Sequence, residues 1–141
     1  HDHWGALADV TRATHAPTYA HDADADAIDV PTRHRLHDEE SITVGDVILG
    51  VIHLVGHTPG SLVLTFNDPH GHTHLFTVDC LFPVGVGRTW SPEDFETLYR
   101  GVVEKIFDRY DDDTWIYPGH GDDTTLGRER PSLDEWWKRG W

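Results

Sequence analysis

The 141-residue chain contains no methionine and only one cysteine, Cys80. A lone cysteine excludes an internal disulfide and a cysteine-based zinc site. It suits a reducing compartment, and a cytoplasmic protein is the expectation. Without methionine, His1 is no ordinary initiator, so the chain is expected to be cut at its N-terminus. Basic residues are also scarce: 11 Lys and Arg stand against 25 Asp and Glu, a formal charge of −14. Nucleic-acid binding draws on a basic surface to displace counterions. No basic stripe exists here, so no nucleic-acid partner is expected. No apolar run approaches the roughly 18 residues of a membrane span, and no signal peptide is recognisable. No membrane partner is therefore expected. Repeats and linkers are absent too, and residues 1–141 read as one domain with one core. The sequence leaves a homo-oligomer open.

Histidine is abundant, at 12 residues, and six Trp and five Phe supply packing material. The acidic runs Asp22-Ala23-Asp24-Ala25-Asp26 and Asp111-Asp112-Asp113 lack the spacing and glycine of an EF-hand loop. They read as solvated surface.

The patterning predicts alternating elements. Leu7, Val10 and Thr11 lie near helical spacing, and Pro17 ends that helix. Thr18 to Ala20 and Thr32 to Leu36 suit short strands, with the Asp/Ala stretch between them a loop or a short helix. Val44-Gly45-Asp46 is a turn. Val47 to Val55, Ser61 to Phe66 and Leu75 to Val78 form the strongest β signal, with a hairpin turn over 67–71. Such continuous apolar strands suggest a sheet covered on both faces. Ser91-Pro92-Glu93-Asp94 is a helix start, with Ser91 as N-cap and Pro92 in the first turn. Phe95, Leu98, Val102 and Ile106 continue it. Thr114 to Tyr117 suits a strand, and Pro131 opens a last helix. The fold class is α/β.

Four clusters carry candidate chemistry: Asp2-His3, Gly56-His57-Thr58-Pro59-Gly60, Asp79 after an apolar strand, and Pro118-Gly119-His120-Gly121. Imidazole nitrogen and carboxylate oxygen are the donors that zinc or iron takes. Loops at strand ends bring such side chains into one crevice. Taken singly, each cluster also fits a plain role. Asp2-His3 fits an N-terminal polar pair, His57 a turn cap, and Asp79 a helix cap. His120 between two glycines suggests close approach to something. His53 fits packing or support of His57, and Cys80 a buried thiol. Arg88 fits either an ion pair or a bidentate grip on a substrate carboxylate. Trp136, Trp137 and Trp141 fit packing of the last helix.

The order of the four clusters resembles the metallo-β-lactamase superfamily, and its glyoxalase II-like hydrolases in particular. Asp2-His3 matches the end of that family's His-x-His-x-Asp-His motif, whose first two histidines would precede His1. His57 in Gly-His-Thr-Pro-Gly-Ser matches the third histidine. Asp79 in Leu-Phe-Thr-Val-Asp-Cys-Leu-Phe matches the bridging carboxylate, with Val78 where the family more often has Gly. Gly85-Val86-Gly87-Arg88-Thr89 matches the following loop. His120 in Tyr-Pro-Gly-His-Gly matches the last histidine, and Thr124 to Glu129 continues as in the family.

The resemblance implies an αββα sandwich lacking its N-terminal strands. It implies two divalent metal ions, zinc or alternatively iron or manganese, roughly 3.5–4 Å apart. One site would use Asp2, His3, His120 and the bridging Asp79; the other would keep only His57 and Asp79. Metal-bound hydroxide would attack a thioester or related acyl bond of a small molecule, with Asp2 orienting the nucleophile and Arg88 contacting substrate. Two other outcomes stay open: a mononuclear iron persulfide dioxygenase, and a chain that is inactive because two ligands are missing.

Overall fold

The computed structural model describes residues 3–140. Its centre is a six-stranded mixed sheet in the order β10-β9-β6-β5-β4-β3. The strands are β3 (Ser41–Val44), β4 (Val47–Leu54), β5 (Ser61–Asn67), β6 (Thr73–Val78), β9 (Trp115–Pro118) and β10 (Thr124–Thr125). The pairs from β3 to β6 are antiparallel, and β9 lies parallel to β6 with a register shift at Phe76 to Val78. A parallel neighbour needs a crossover. Here α3 (Pro92–Val102) and a π-helical turn, Val103–Phe107, provide it.

Side chains alternate across a strand with period two, and the sheet uses both sets. Ile52, Leu54, Val63, Leu75 and Ile116 face Leu98, Val102, Ile106, Phe107, Leu126 and Trp136 in the main core. The helical partners recur at three- and four-residue spacing, so one stripe of α3 and its continuation is buried. Ser91 caps α3 by accepting a hydrogen bond from the Asp94 backbone N–H at 3.0 Å. Trp136 is buried on α5 (Leu133–Arg139), whereas Trp137 is 42% exposed beside Phe95 and Tyr99. Trp141 lies outside the described residues.

On the opposite face, Leu36, Ile42 and Val51 form a smaller cluster with Leu62 and Leu64. Farther along, a row of rings runs through Phe66, His74, Tyr117, Phe76 and Trp115. Phe76 and Trp115 are 40% and 38% exposed, so the described residues cover only part of this face. The apolar continuity of the strands predicts cover on both sides, because periodicity registers the hydrophobicity of a face and not what packs on it.

The N-terminal region crosses one end of the sheet. It comprises α1 (Leu7–Thr14), β1 (Tyr19–His21), α2 (Asp22–Ala25) and β2 (His34–Leu36), with β1 and β2 paired in parallel. Two short strands, β7 (Leu81–Phe82) and β8 (Gly85–Val86), form a ribbon after β6, and α4 (Leu126–Glu129) follows β10. Among the described residues no helix is long and apolar enough to cross a membrane.

Candidate metal centre

The site begins where β6 ends. Val78 sits at φ +46°, a left-handed conformation uncommon for a β-branched residue. Its carbonyl accepts a hydrogen bond from Gly119 N–H at 2.7 Å, tying the end of β6 to the His120 loop. The next residue, Asp79, is pinned from the other side. A Cβ on Gly87 would stand 1.7 Å from the Asp79 carbonyl oxygen, so only glycine allows this approach. Glycines flank His120 as well, and Gly121 has φ +79°.

Three imidazoles converge on the Asp79 carboxylate. His3 Nε2 lies 3.0 Å and His57 Nε2 3.3 Å from Oδ2, and His120 Nε2 lies 3.8 Å from Oδ1. The His3 and His120 rings meet edge to face at 4.8 Å. One ligand atom each from His3, Asp79 and His120 falls within a 4.8 Å cluster. A Cβ on Gly119 would stand 2.5 Å from His3 Cε1 and 2.7 Å from Asp79 Oδ1, so that glycine is what lets the two side chains meet. The structure thus brings together His3, His57, Asp79 and His120. Asp2, the remaining expected ligand and catalytic group, lies outside the described residues.

His57 is held on a loop between Gly56, at φ +139°, and Gly60. Its Nδ1–H donates to the Arg88 carbonyl at 2.8 Å, which leaves the Nε2 lone pair for the side facing Asp79. Trp90 Nε1–H donates to the His57 carbonyl at 3.0 Å. His53 Nε2–H donates to the Pro59 carbonyl at 2.8 Å, so this histidine supports the loop. Asp24 accepts from Thr58 Oγ1 and from Gly60 N–H. The Trp90 and Asp24 contacts escape sequence reading. Trp90 follows a Gly-rich loop without a motif of its own, and Asp24 lies in a stretch that reads as solvated. The only local hint of Asp24 is Gly60, where a Cβ would stand 2.7 Å from the Asp24 carboxyl carbon.

The four ligand candidates line a cleft of about 880 Å³, together with Tyr19, Ile28, Leu62, Arg88 and Trp90. The Arg88 guanidinium lies over the Trp90 ring at 4.5 Å. Cys80 also borders the cleft, but the side chain is buried and burial pushes the thiol up to about 12, against a smaller opposing effect from its hydrogen bond with Ser61. A thiol held protonated is inert as a nucleophile or ligand. The acidic run at residues 22–26 divides its labour: Asp22 and Asp26 pair with Arg35, and Asp24 turns to the His57 loop.

The donor set fits a divalent transition metal. Asp79 Oδ1 is buried without a hydrogen-bond donor among the described residues. An unmet buried acceptor costs about 1–3 kcal/mol, and a cation shared with neutral imidazoles would satisfy it. Nitrogen and oxygen donors at one locus suit zinc or iron.

No family model matches the chain. The hydroxyacylglutathione hydrolase GloC of Haemophilus influenzae is 36% identical over 104 residues, covering 73% of this chain and 47% of the relative. The fold superposes on the BLEG-1 B3 metallo-β-lactamase with a TM-score of 0.80 and 28% identity, over 92% of this chain and 69% of that one. The chain belongs to the metallo-β-lactamase superfamily. Within that superfamily its fold is of the glyoxalase II-like kind. The human mitochondrial persulfide dioxygenase ETHE1 is another relative, 40% identical over 90 residues, covering 60% of this chain and 32% of that protein. The protein TTHA1623, solved in a di-iron-bound form, matches with a TM-score of 0.70 and 29% identity over 92% of this chain and 69% of that one. The chain spans less than half the length of the GloC and ETHE1 relatives.

Proposed function

We propose that residues 1–141 form one metallo-β-lactamase-fold domain whose cleft hydrolyses a thioester or related acyl bond of a small molecule. The observation that carries this reading is the convergence of His3, His57 and His120 on Asp79, one of whose oxygens has no donor among the described residues. His3, Asp79 and His120, with Asp2, would hold one metal ion; His57 and Asp79 would contribute to a second. A bound divalent ion supplies Lewis acidity at a carbonyl and makes water acidic enough to ionise near neutral pH. The chain's own residues do the rest. The Arg88 carbonyl holds His57 in the tautomer that presents Nε2 to the centre. The Gly119 and Gly87 contacts fix Asp79 from two sides. Asp2 would orient the attacking group. Arg88, on the cleft wall beside Trp90, would grip an anionic group of the substrate. The GloC likeness supports a thioester, and zinc is the proposed metal, with iron or manganese as alternatives.

A second reading, oxidation of a persulfide at a single iron, draws support from the ETHE1 likeness. Metal analysis with two assays separates them. Two metals per chain and anaerobic thioester hydrolysis are expected. One iron per chain with persulfide-dependent oxygen uptake would replace the first reading with the second. A chain extended upstream of His1 belongs beside the 141-residue chain in both assays, since equal turnover would show that no upstream ligand is needed.

A further inference from the structure

The His57 loop is pinned on one side by Arg88 and Trp90. On its other side stands a carboxylate that the proposed chemistry does not use. Asp24, on the four-residue helix α2, accepts from Thr58 Oγ1 at 2.5 Å and from Gly60 N–H at 2.8 Å. Thr58 Oγ1 also meets Ser61 Oγ at 2.7 Å, and Ser61 Oγ accepts from Thr58 N–H at 3.1 Å. Gly60 has no space for a side chain, because a Cβ would stand 2.7 Å from Asp24 Cγ and 2.9 Å from its backbone nitrogen. The helix itself is anchored beside this contact. His21 caps α2 by accepting from Ala23 N–H, and its ring stacks at 3.7 Å on His53, the residue that donates to Pro59. All three loop residues that follow His57, Thr58 to Gly60, thus form a hydrogen bond on this side, two of them to a single carboxylate.

We propose that Asp24 is a positioning residue for His57, setting the loop so that Nε2 reaches the centre. The proposal rests on the metal-centre reading above. A loop with glycine at both ends has many accessible conformations, and imidazole ligation tolerates errors of only about 0.2 Å. The ring is oriented by Arg88, but the backbone that carries it is fixed at Thr58 and Gly60. Removing the carboxylate leaves the Thr58 hydroxyl and Gly60 N–H without this acceptor, and the loop relaxes away from its ligating position. An isosteric amide can keep the arrangement: its oxygen accepts from Gly60, its NH₂ donates to Thr58 Oγ1, and the Thr58 hydroxyl turns to Ser61.

The test uses the 141-residue chain and its variants Asp24→Ala, Asp24→Asn, Thr58→Val and His57→Ala. Zn²⁺ affinity is read by competition with a chromophoric chelator, coordination geometry by the visible spectrum of the Co²⁺ form, and folding by circular dichroism without metal. Supporting residues of metal ligands typically change affinity 10–100-fold. Asp24→Ala is expected to lose at least about tenfold in Zn²⁺ affinity and to alter the Co²⁺ spectrum, while Asp24→Asn stays within about threefold. Wild-type affinity and spectrum in Asp24→Ala would overturn the proposal, and leave a role in fold stability only. If Asp24→Ala does not fold, Thr58→Val decides: a several-fold loss supports positioning, and no loss overturns it. If His57→Ala binds Zn²⁺ as the wild type does, the assignment of His57 as a metal ligand falls and this inference falls with it, while the group of His3, Asp79 and His120 is untouched.

Discussion

Replacing Gly119 by alanine should separate metal binding from folding. The added Cβ would stand 2.5 Å from His3 Cε1 and 2.7 Å from Asp79 Oδ1. Ordinary carbon contacts are about 3.5–4.0 Å, so both groups must retreat by roughly 1 Å. Ligand distances around a metal tolerate about 0.2 Å. A displacement several times that tolerance should lower affinity about 10–100-fold, or about 1.4–2.8 kcal/mol at 1.4 kcal/mol per decade. The fold should hardly notice. Gly119 is exposed, its φ lies outside the left-handed range, and the displaced His3 is itself exposed. The assay is a Zn²⁺ titration against a competing chelator beside a thermal melt of the metal-free chain. Gly119→Ala with wild-type affinity would refute the assignment of His3 and Asp79 to one centre. A large fall in the metal-free melting temperature would refute the argument that Gly119 serves the site and not the fold.

Other expectations follow from individual contacts. Val78→Gly should leave stability unchanged or raise it by up to about 1.5 kcal/mol, because relief of left-handed strain of about 1–2 kcal/mol offsets glycine's entropy cost of about 0.5–1 kcal/mol; urea denaturation showing a loss above about 1 kcal/mol would contradict this. Glu129 is buried and accepts from Thr124 Oγ1 at 2.7 Å and from Val84 N–H at 2.9 Å. Glu129→Ala should therefore cost about 3 kcal/mol, and a loss under 1 kcal/mol in the same assay would show that water replaces the carboxylate. His21 is held below the usual imidazole value, first by burial and then by the neighbouring His53 and His37, against the opposing pull of Asp24 and Asp22. With the folded value lower than the unfolded one, the stabilisation is present above about pH 6.5 and is lost as pH falls through the folded value. His21→Gln should flatten the acid limb of metal-free stability, and an unchanged limb would assign it to other groups.

Much of this molecule is legible along the chain. The β4, β5 and β6 strands announce themselves by β-branched and aliphatic runs, and the Ser91-Pro92 start of α3 by its capping chemistry. His57, Asp79 and His120 are recognisable because glycines and strand ends surround them. Three features resist such reading for physical reasons. Strand β3 is short, and only pairing with β4 gives it away. The left-handed turn at Val78 has no local signal, since a β-branched residue is the last expected there. Asp24 makes its contacts 34 and 36 residues away, at Thr58 and Gly60. No window around an Asp/Ala run distinguishes an inward carboxylate from its solvated neighbours.

The central claim is that His3, His57, Asp79 and His120 form a transition-metal centre. Its most direct test is the metal content of the purified chain, by elemental analysis after exhaustive dialysis, for the wild type and for Asp79→Asn. The account predicts at least one zinc, iron or manganese ion retained per wild-type chain and a loss of most of it in Asp79→Asn. Equal retention in the two, or none in either, would contradict it.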